Sequence, residues 1–260
     1  MTTPRAGCAV DADGRITFEV PRAGGLRLLL RLRPKKGQPE EGLHVLDLAT
    51  DPSDEGRAQA VLGADPVLAE GRWDVYLLQG TERTRLRPGP RDLRALVDGQ
   101  LRERRGPLAV RVPYATKDGF LAVRTWLRPA HAEVGRVDVT DRTLTIAARL
   151  HGSPLTEDAR VELRLRRDNG VTRTLEPLVR ADGRAFSYTL DDALDLAPGI
   201  WDMFLRPAPG AAPIRLARLL DDVADRKEVF VYPGAGVGGA VVRPYYTVDN
   251  DLSLEVKRTG

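Results

Sequence analysis

Hydrophobic and polar residues alternate through much of the chain. In VELRLR, Val161, Leu163 and Leu165 fall on one side, and Glu162, Arg164 and Arg166 on the other. LSLEVK sets Leu252, Leu254 and Val256 against Ser253, Glu255 and Lys257, while LAVRV turns Leu108, Val110 and Val112 to one face. A period of two is that of a β-strand with one buried face. Half-buried strands of this kind belong to antiparallel sheets. Gly, Pro, Asp and Asn interrupt the alternation about every 8–12 residues, the spacing of a sandwich or barrel. Helical periodicity is confined to two stretches, 91–104 and 217–228, each long enough for one or two turns.

The pattern is written twice. GRWDVYL at 71–77 returns as GIWDMFL at 199–205, so that Trp73 and Trp201 stand 128 positions apart, each followed by an aspartate. RLLLRLR at 27–33 matches RVELRLR at 160–166, Arg85-Leu86 matches Arg215-Leu216, and PYATKDGFLAV at 113–123 matches PYYTVDNDLSL at 244–254. The order is kept and the offset drifts by only a few residues, as in an internal duplication with loop insertions. A repeat this long is a whole domain rather than a solenoid unit. The expected architecture is all-β: two tandem immunoglobulin-like antiparallel β-sandwich domains, repeat 1 over 8–128, a linker over 129–133 and repeat 2 over 134–258. Within it the Trp-Asp pairs, Trp73-Asp74 and Trp201-Asp202, read as a structural motif. The ring enters the inter-sheet core, and the aspartate points to the other face, toward a backbone amide or an arginine.

Charge adds little direction. The 40 Lys and Arg nearly cancel the 37 Asp and Glu, and the two signs are interleaved rather than gathered into a stripe. That pattern argues against a nucleic-acid partner. Only five of the basic residues are lysines, the arginine bias of a GC-rich genome. Cys8 is the single cysteine, which excludes an intrachain disulfide. The N-terminal MTTPRAGCAVDADGR has no apolar run of signal-peptide type, and no stretch of 18 apolar residues suggests a membrane span. The expected location is the cytoplasm, with any association with the inner membrane face made through a partner.

Motifs that carry chemistry are sparse. GAGVGG at 234–239 matches G-x-G-x-x-G, yet the strand-like AVVRPYYTV follows where a dinucleotide site needs a helix. It reads as a flexible loop, and no cofactor is expected. His44, His131 and His151 show no metal-ligand spacing, so no metal is expected and each reads as a surface or packing residue. No G-x-S-x-G elbow marks a nucleophile, and the Asp191-Asp192 and Asp221-Asp222 pairs lie on neighbouring positions that face apart on a strand. No catalytic residue is assigned. The polar-aromatic set is more suggestive. Tyr114 and Tyr245 each follow a proline at matching places in the repeats, and Tyr246 stands where repeat 1 has Ala115. With Arg243 and Asp249 these tyrosines form the expected ligand-binding set, rings for sugar C–H faces and charges for hydroxyls or phosphate. Tyr246 is the member freest of a fold role, because the repeats differ there.

GRWDVYL followed by TRLR and VPYATKDGFLAV, and again GIWDMFL followed by IRLAR and RPYYTVDNDLSLEV, resembles the tandem β-sandwich module at the C-terminus of bacterial family-2 glycosyltransferases of the wall teichoic acid type, the actinobacterial ones above all. The resemblance covers nearly the whole chain. It implies a non-catalytic module, homo-oligomeric and trimeric by family habit. It also implies contact with a glycan or polyol-phosphate polymer and a glycosyltransferase partner. No transferase domain is expected in these 260 residues, so transferase activity is not implied. The competing expectation is a small enzyme of a specialised biosynthetic pathway, with a pocket between the two β-domains.

Overall fold

A computed structural model describes residues 3–21, 24–34, 37–51, 54–65, 67–98, 107–167 and 170–258. The chain divides into two compact units. Unit 1 comprises 1–104, 109–127 and 220–224, and unit 2 comprises 105–108, 128–219 and 225–260. The architecture is all-β, and its sheets are mostly antiparallel; among the described residues β1 runs parallel to β9 and β12 parallel to β19.

Unit 1 opens with β1 (Arg5–Val10), β2 (Ile16–Pro21), β3 (Leu26–Leu32), β4 (Leu43–Asp47), β5 (Ala49–Asp51) and β6 (Asp54–Leu62). It continues with β7 (Gly71–Gln79), β8 (Glu82–Arg85), β9 (Arg87–Asp92), the single-turn helix α1 (Arg94–Val97), β10 (Leu108–Ala115) and β11 (Leu121–Arg128). One sheet runs β5-β6-β2-β1-β9 and the other β10-β11-β7-β3-β4, with β8 beside β7. Alternation decides which side is buried. Ile16, Phe18 and Val20 of β2 are buried, as are Leu28 and Leu30 of β3 and Trp73 and Val75 of β7.

Unit 2 repeats the plan with β12 (His131–Val139), β13 (Leu144–His151), β14 (Arg160–Leu165), β15 (Thr172–Leu175), β16 (Leu178–Val179) and β17 (Ala185–Leu190). Then come β18 (Gly199–Arg206), β19 (Ile214–Ala217), β20 (Ala235–Val237), β21 (Ala240–Tyr246) and β22 (Leu252–Arg258). Its core joins Ile146, Leu150, Phe186 and Tyr188 from one layer to Val161, Leu163, Trp201, Met203 and Leu254 from the other. In unit 2 the chain passes between layers on β19, which pairs antiparallel with β18 and parallel with β12. In unit 1 two strands divide that task, β8 pairing with β7 and β9 running parallel to β1.

Registers show the duplication residue by residue. Trp73 lies between Leu32 and Val123, and Trp201 between Leu165 and Leu254. Tyr76 opposes Arg85 as Phe204 opposes Arg215. The glycine two residues before each tryptophan has the same task. A Cβ on Gly71 would stand 2.6 Å from a Leu32 methyl, and one on Gly199 would stand 2.8 Å from a Leu165 methyl.

Three local expectations are corrected. GAGVGG is a hairpin rather than a flexible loop: β20 pairs with β21 through a turn whose two residues, Gly238 and Gly239, have φ of 54° and 77°. Two successive positive φ values are the signature of a type I′ turn, whose twist suits a hairpin. The stretch 217–228 forms no helix, because its polar groups close locally: Asp221 Oδ1 accepts the Val223 amide and Arg226 Nε donates to the Arg218 carbonyl. In 91–104, by contrast, an expected helical turn forms at Arg94–Val97, and 99–104 lie outside the described residues. The stretch 129–133, read as a linker, carries the first residues of β12, where His131, Ala132 and Glu133 are buried.

Candidate functional site

Each Trp-Asp pair is tied the same way. Trp73 Nε1 donates to the Ala69 carbonyl at 3.0 Å, and Trp201 Nε1 to the Ala197 carbonyl at 2.9 Å. The aspartate faces the opposite side of the sheet and gathers two arginines. Asp74 accepts from Arg33 at 2.7 Å and Arg85 at 3.1 Å. Asp202 pairs with Arg166 at 2.6 Å and Arg215 at 3.3 Å and accepts the Ser253 hydroxyl at 2.8 Å. Other outward arginines of these strands are likewise engaged at home, Arg31 with Tyr76 and Glu40, Arg164 with Glu162. Their guanidinium planes also cover rings, Arg85 over Phe120 at 4.0 Å and Arg164 over Phe204 at 4.5 Å.

In unit 2, Arg243 of β21, Glu255 of β22 and Ile200 of β18 form one cross-strand row. A strap enters from Arg226, whose backbone carbonyl accepts the amides of Val229 and Phe230. It crosses the edge of β21 through a bridge between Val231 and Tyr245. Strap and sheet border a half-open cavity of about 320 Å³ within unit 2. Its apolar lining comes from Ile200, Pro244 and the strap residues Phe230 and Val231, with the rings of Tyr232 and Tyr245 beside them. Lys227, Arg243 and Glu255 supply its charges.

The strap has a rigid base. Arg226 is fully buried; its amide donates to the Asn250 side chain at 3.1 Å, and its guanidinium lies 5.2 Å from the Phe230 ring and 5.9 Å from that of Tyr246. Glu255 takes Arg243 on one carboxylate oxygen at 2.5 Å and Lys257 on the other at 3.1 Å. Those two cations, Lys257 first, hold its carboxyl below the usual range.

The structure is similar over part of its length to solved structures of Staphylococcus aureus TarS. Against one, the TM-score is 0.40 at 15% identity, covering 60% of this chain and 29% of that one. Against a TarS fragment, residues 217–571, the TM-score is 0.31 at 11% identity, covering 75% of this chain and 57% of the fragment. No protein-family model and no curated protein matches the sequence.

Of the expected ligand set, Arg243 and Tyr245 meet in the cavity and the others do not. Tyr246 is the clear correction. It is fully buried, packed at 5.9 Å edge-on to Phe230 and at 6.3 Å from Tyr232, and burial drives its phenol pKa upward. Successive strand residues face apart, so Tyr245 outward puts Tyr246 in the core. Asp249 is exposed on the β21–β22 turn, its amide bonded to Thr247 Oγ1 at 3.2 Å. Tyr114 belongs to unit 1 and is half-buried, and its phenol pKa is raised by burial. The sequence reading passed over Lys227, Phe230 and Tyr232. The signal was present in KEVFVYPG, where two aromatics two residues apart precede a Pro-Gly turn. Only the bridge to Tyr245 brings them to the site.

Of the surface or packing roles read for the histidines, packing holds for two. His131 and His151 are cross-strand partners, both buried, with ring centroids 6.2 Å apart. His131 Nε2 lies 2.6 Å from Glu133, whose carboxylate accepts the Leu219 amide at 2.8 Å. Desolvation, then the neighbouring His131, lowers the His151 pKa to about 4. Cys8 is buried, and desolvation raises its thiol to about 12, which leaves it unreactive near neutral pH.

Proposed function

We propose that this protein is a non-catalytic tandem β-sandwich module that binds a glycan and assembles as an oligomer beside a cell-envelope glycosyltransferase. The observation that carries the glycan reading is the unit 2 cavity, where Tyr245, Tyr232 and Phe230 stand beside Arg243. Rings offer flat apolar faces to sugar C–H groups, and a guanidinium donates in a fixed fork to hydroxyl or acidic oxygens. The cavity lies where the repeats differ: Arg72, Val112 and Arg124 of unit 1 occupy the sequence places of Ile200, Arg243 and Glu255. A duplicated shell that diverges at one face while keeping its cores fits a module that has gained a ligand site.

Assembly draws support from the sheet margins. β4 ends its unit 1 sheet with Leu43 and Val45 exposed, and β16 ends the unit 2 sheet with Leu178 72% exposed. Unpaired strand edges with apolar side chains favour association. Titration calorimetry against a panel of oligosaccharides tests the glycan reading. Saturable heat that Tyr245→Ala abolishes is the expected result, and no heat with any sugar sinks it. Light scattering tests assembly, which a monomer at all concentrations would refute.

A further inference from the structure

We infer that the unit 2 cavity holds a single sugar ring bearing one anionic group, with Lys227 as the residue that reads the charge. This inference rests on the glycan reading and adds the ligand's size and sign. Size follows from the volume. At about 320 Å³ the cavity stands at the lower limit of small-ligand pockets, which span about 300–1,000 Å³, so one ring fills it and any further units of a chain would lie outside.

The sign follows from the charges. Glu255 is the cavity's one acid, and both its oxygens are occupied, by Arg243 and by Lys257 from outside. It orients Arg243 toward the cavity while Lys257 offsets its charge. A guanidinium has five N–H donors, and the Glu255 bond uses one nitrogen, Nη2. The Arg243 side chain is 49% exposed, which leaves its other donors accessible. Lys227 is exposed on the rim, and among the described residues no carboxylate pairs with its ammonium. The lining holds two cations, Lys227 and Arg243, to the one acid, in an apolar setting that strengthens attraction for an anion. The outward tyrosine of β21 and the strap rings give the sugar ring its contact surface. Carboxylate and phosphate share the chemistry that these groups recognise.

The experiment titrates the 260-residue chain with D-glucose, D-glucuronate and D-glucose 6-phosphate at low and high salt, followed by NMR. Each charged sugar should bind roughly tenfold tighter than glucose at low salt, a difference of about 1.4 kcal/mol. High salt should erase most of that advantage. Lys227→Met should bring the charged sugars to the glucose level, and Lys227→Arg should restore them. Tyr245→Ala should weaken all three. The preference between the two charged sugars identifies the source of the anion. Equal binding of glucose and both charged sugars, or full retention in Lys227→Met, overturns the inference while leaving the glycan reading intact. No binding by any of the three, together with an empty oligosaccharide panel, overturns both.

Discussion

Trp201 contributes at residue scale through two separate terms. Its ring fills the unit 2 core at 0% exposure, and its N–H satisfies a carbonyl four residues back. Trp201→Phe removes ring volume and leaves the Ala197 carbonyl without that donor. The expected loss is about 2–3 kcal/mol, measured by urea denaturation. His151 sets the acid limit of unit 2. It is 6% exposed and shares its surroundings with His131, Glu133, Arg149 and Arg184. Its folded pKa of about 4 lies below the ordinary 6.5, so below 6.5 the unfolded chain binds the proton more readily. The stabilisation is therefore complete above pH 6.5 and is lost as pH falls toward 4. At 1.36 kcal/mol per pKa unit the loss is on the order of 3 kcal/mol. Denaturation midpoints measured from pH 7 to 4 should show this slope in the wild type and a much flatter one in His151→Phe.

At the scale of elements, the β20–β21 hairpin shows how a glycine-rich run is used. Gly238 has φ of 54°, and a Cβ there would stand 2.1 Å from the Leu194 carbonyl oxygen. Gly239 has φ of 77° with open space around it. Gly238→Ala should destabilise unit 2 by about 2 kcal/mol or more, because strain and clash act together. Gly239→Asn should cost under about 1 kcal/mol, since asparagine enters the left-handed region readily. Thermal melts of the two variants separate the cases; equal losses would contradict the turn geometry. The β21–β22 turn makes the same point between repeats. Asn250, at φ of 63°, stands where unit 1 has Gly119 at 77°, and Thr247 Oγ1 and Thr116 Oγ1 each accept an amide four residues on. Asparagine adds what glycine lacks, an acceptor for the amide of Arg226 beneath the strap.

For the whole molecule, two units carry two matched tryptophans, each hydrogen-bonded within its own unit. Substitutions at sites without shared partners add within about 0.3–0.5 kcal/mol. The double variant Trp73→Phe/Trp201→Phe should therefore lose the sum of the two single losses, measured calorimetrically over the full unfolding transition. A clear excess or deficit would show that the two sites are coupled. Among the described residues no helix is long and apolar enough to cross a membrane.

The period-two alternation, the turn residues and the doubled Trp-Asp pattern were enough to read an all-β chain of two sandwiches, because strand alternation and repeat spacing are local properties of the chain. The tryptophan's face, the arginine partners of the aspartates and the outward set of Arg243 and Tyr245 follow from the same alternation. It also sends Tyr246 inward, once β21 is known to continue through that position. What local pattern could not supply is the meeting of segments far apart in sequence. The cavity exists because the strap bridges to Tyr245 and because Ile200 and Glu255 arrive on two other strands. The stacked histidines likewise meet only through the β12–β13 register. Long-range pairing is set by the packing of whole layers, so tertiary structure alone decided where the cavity lies and which charges line it.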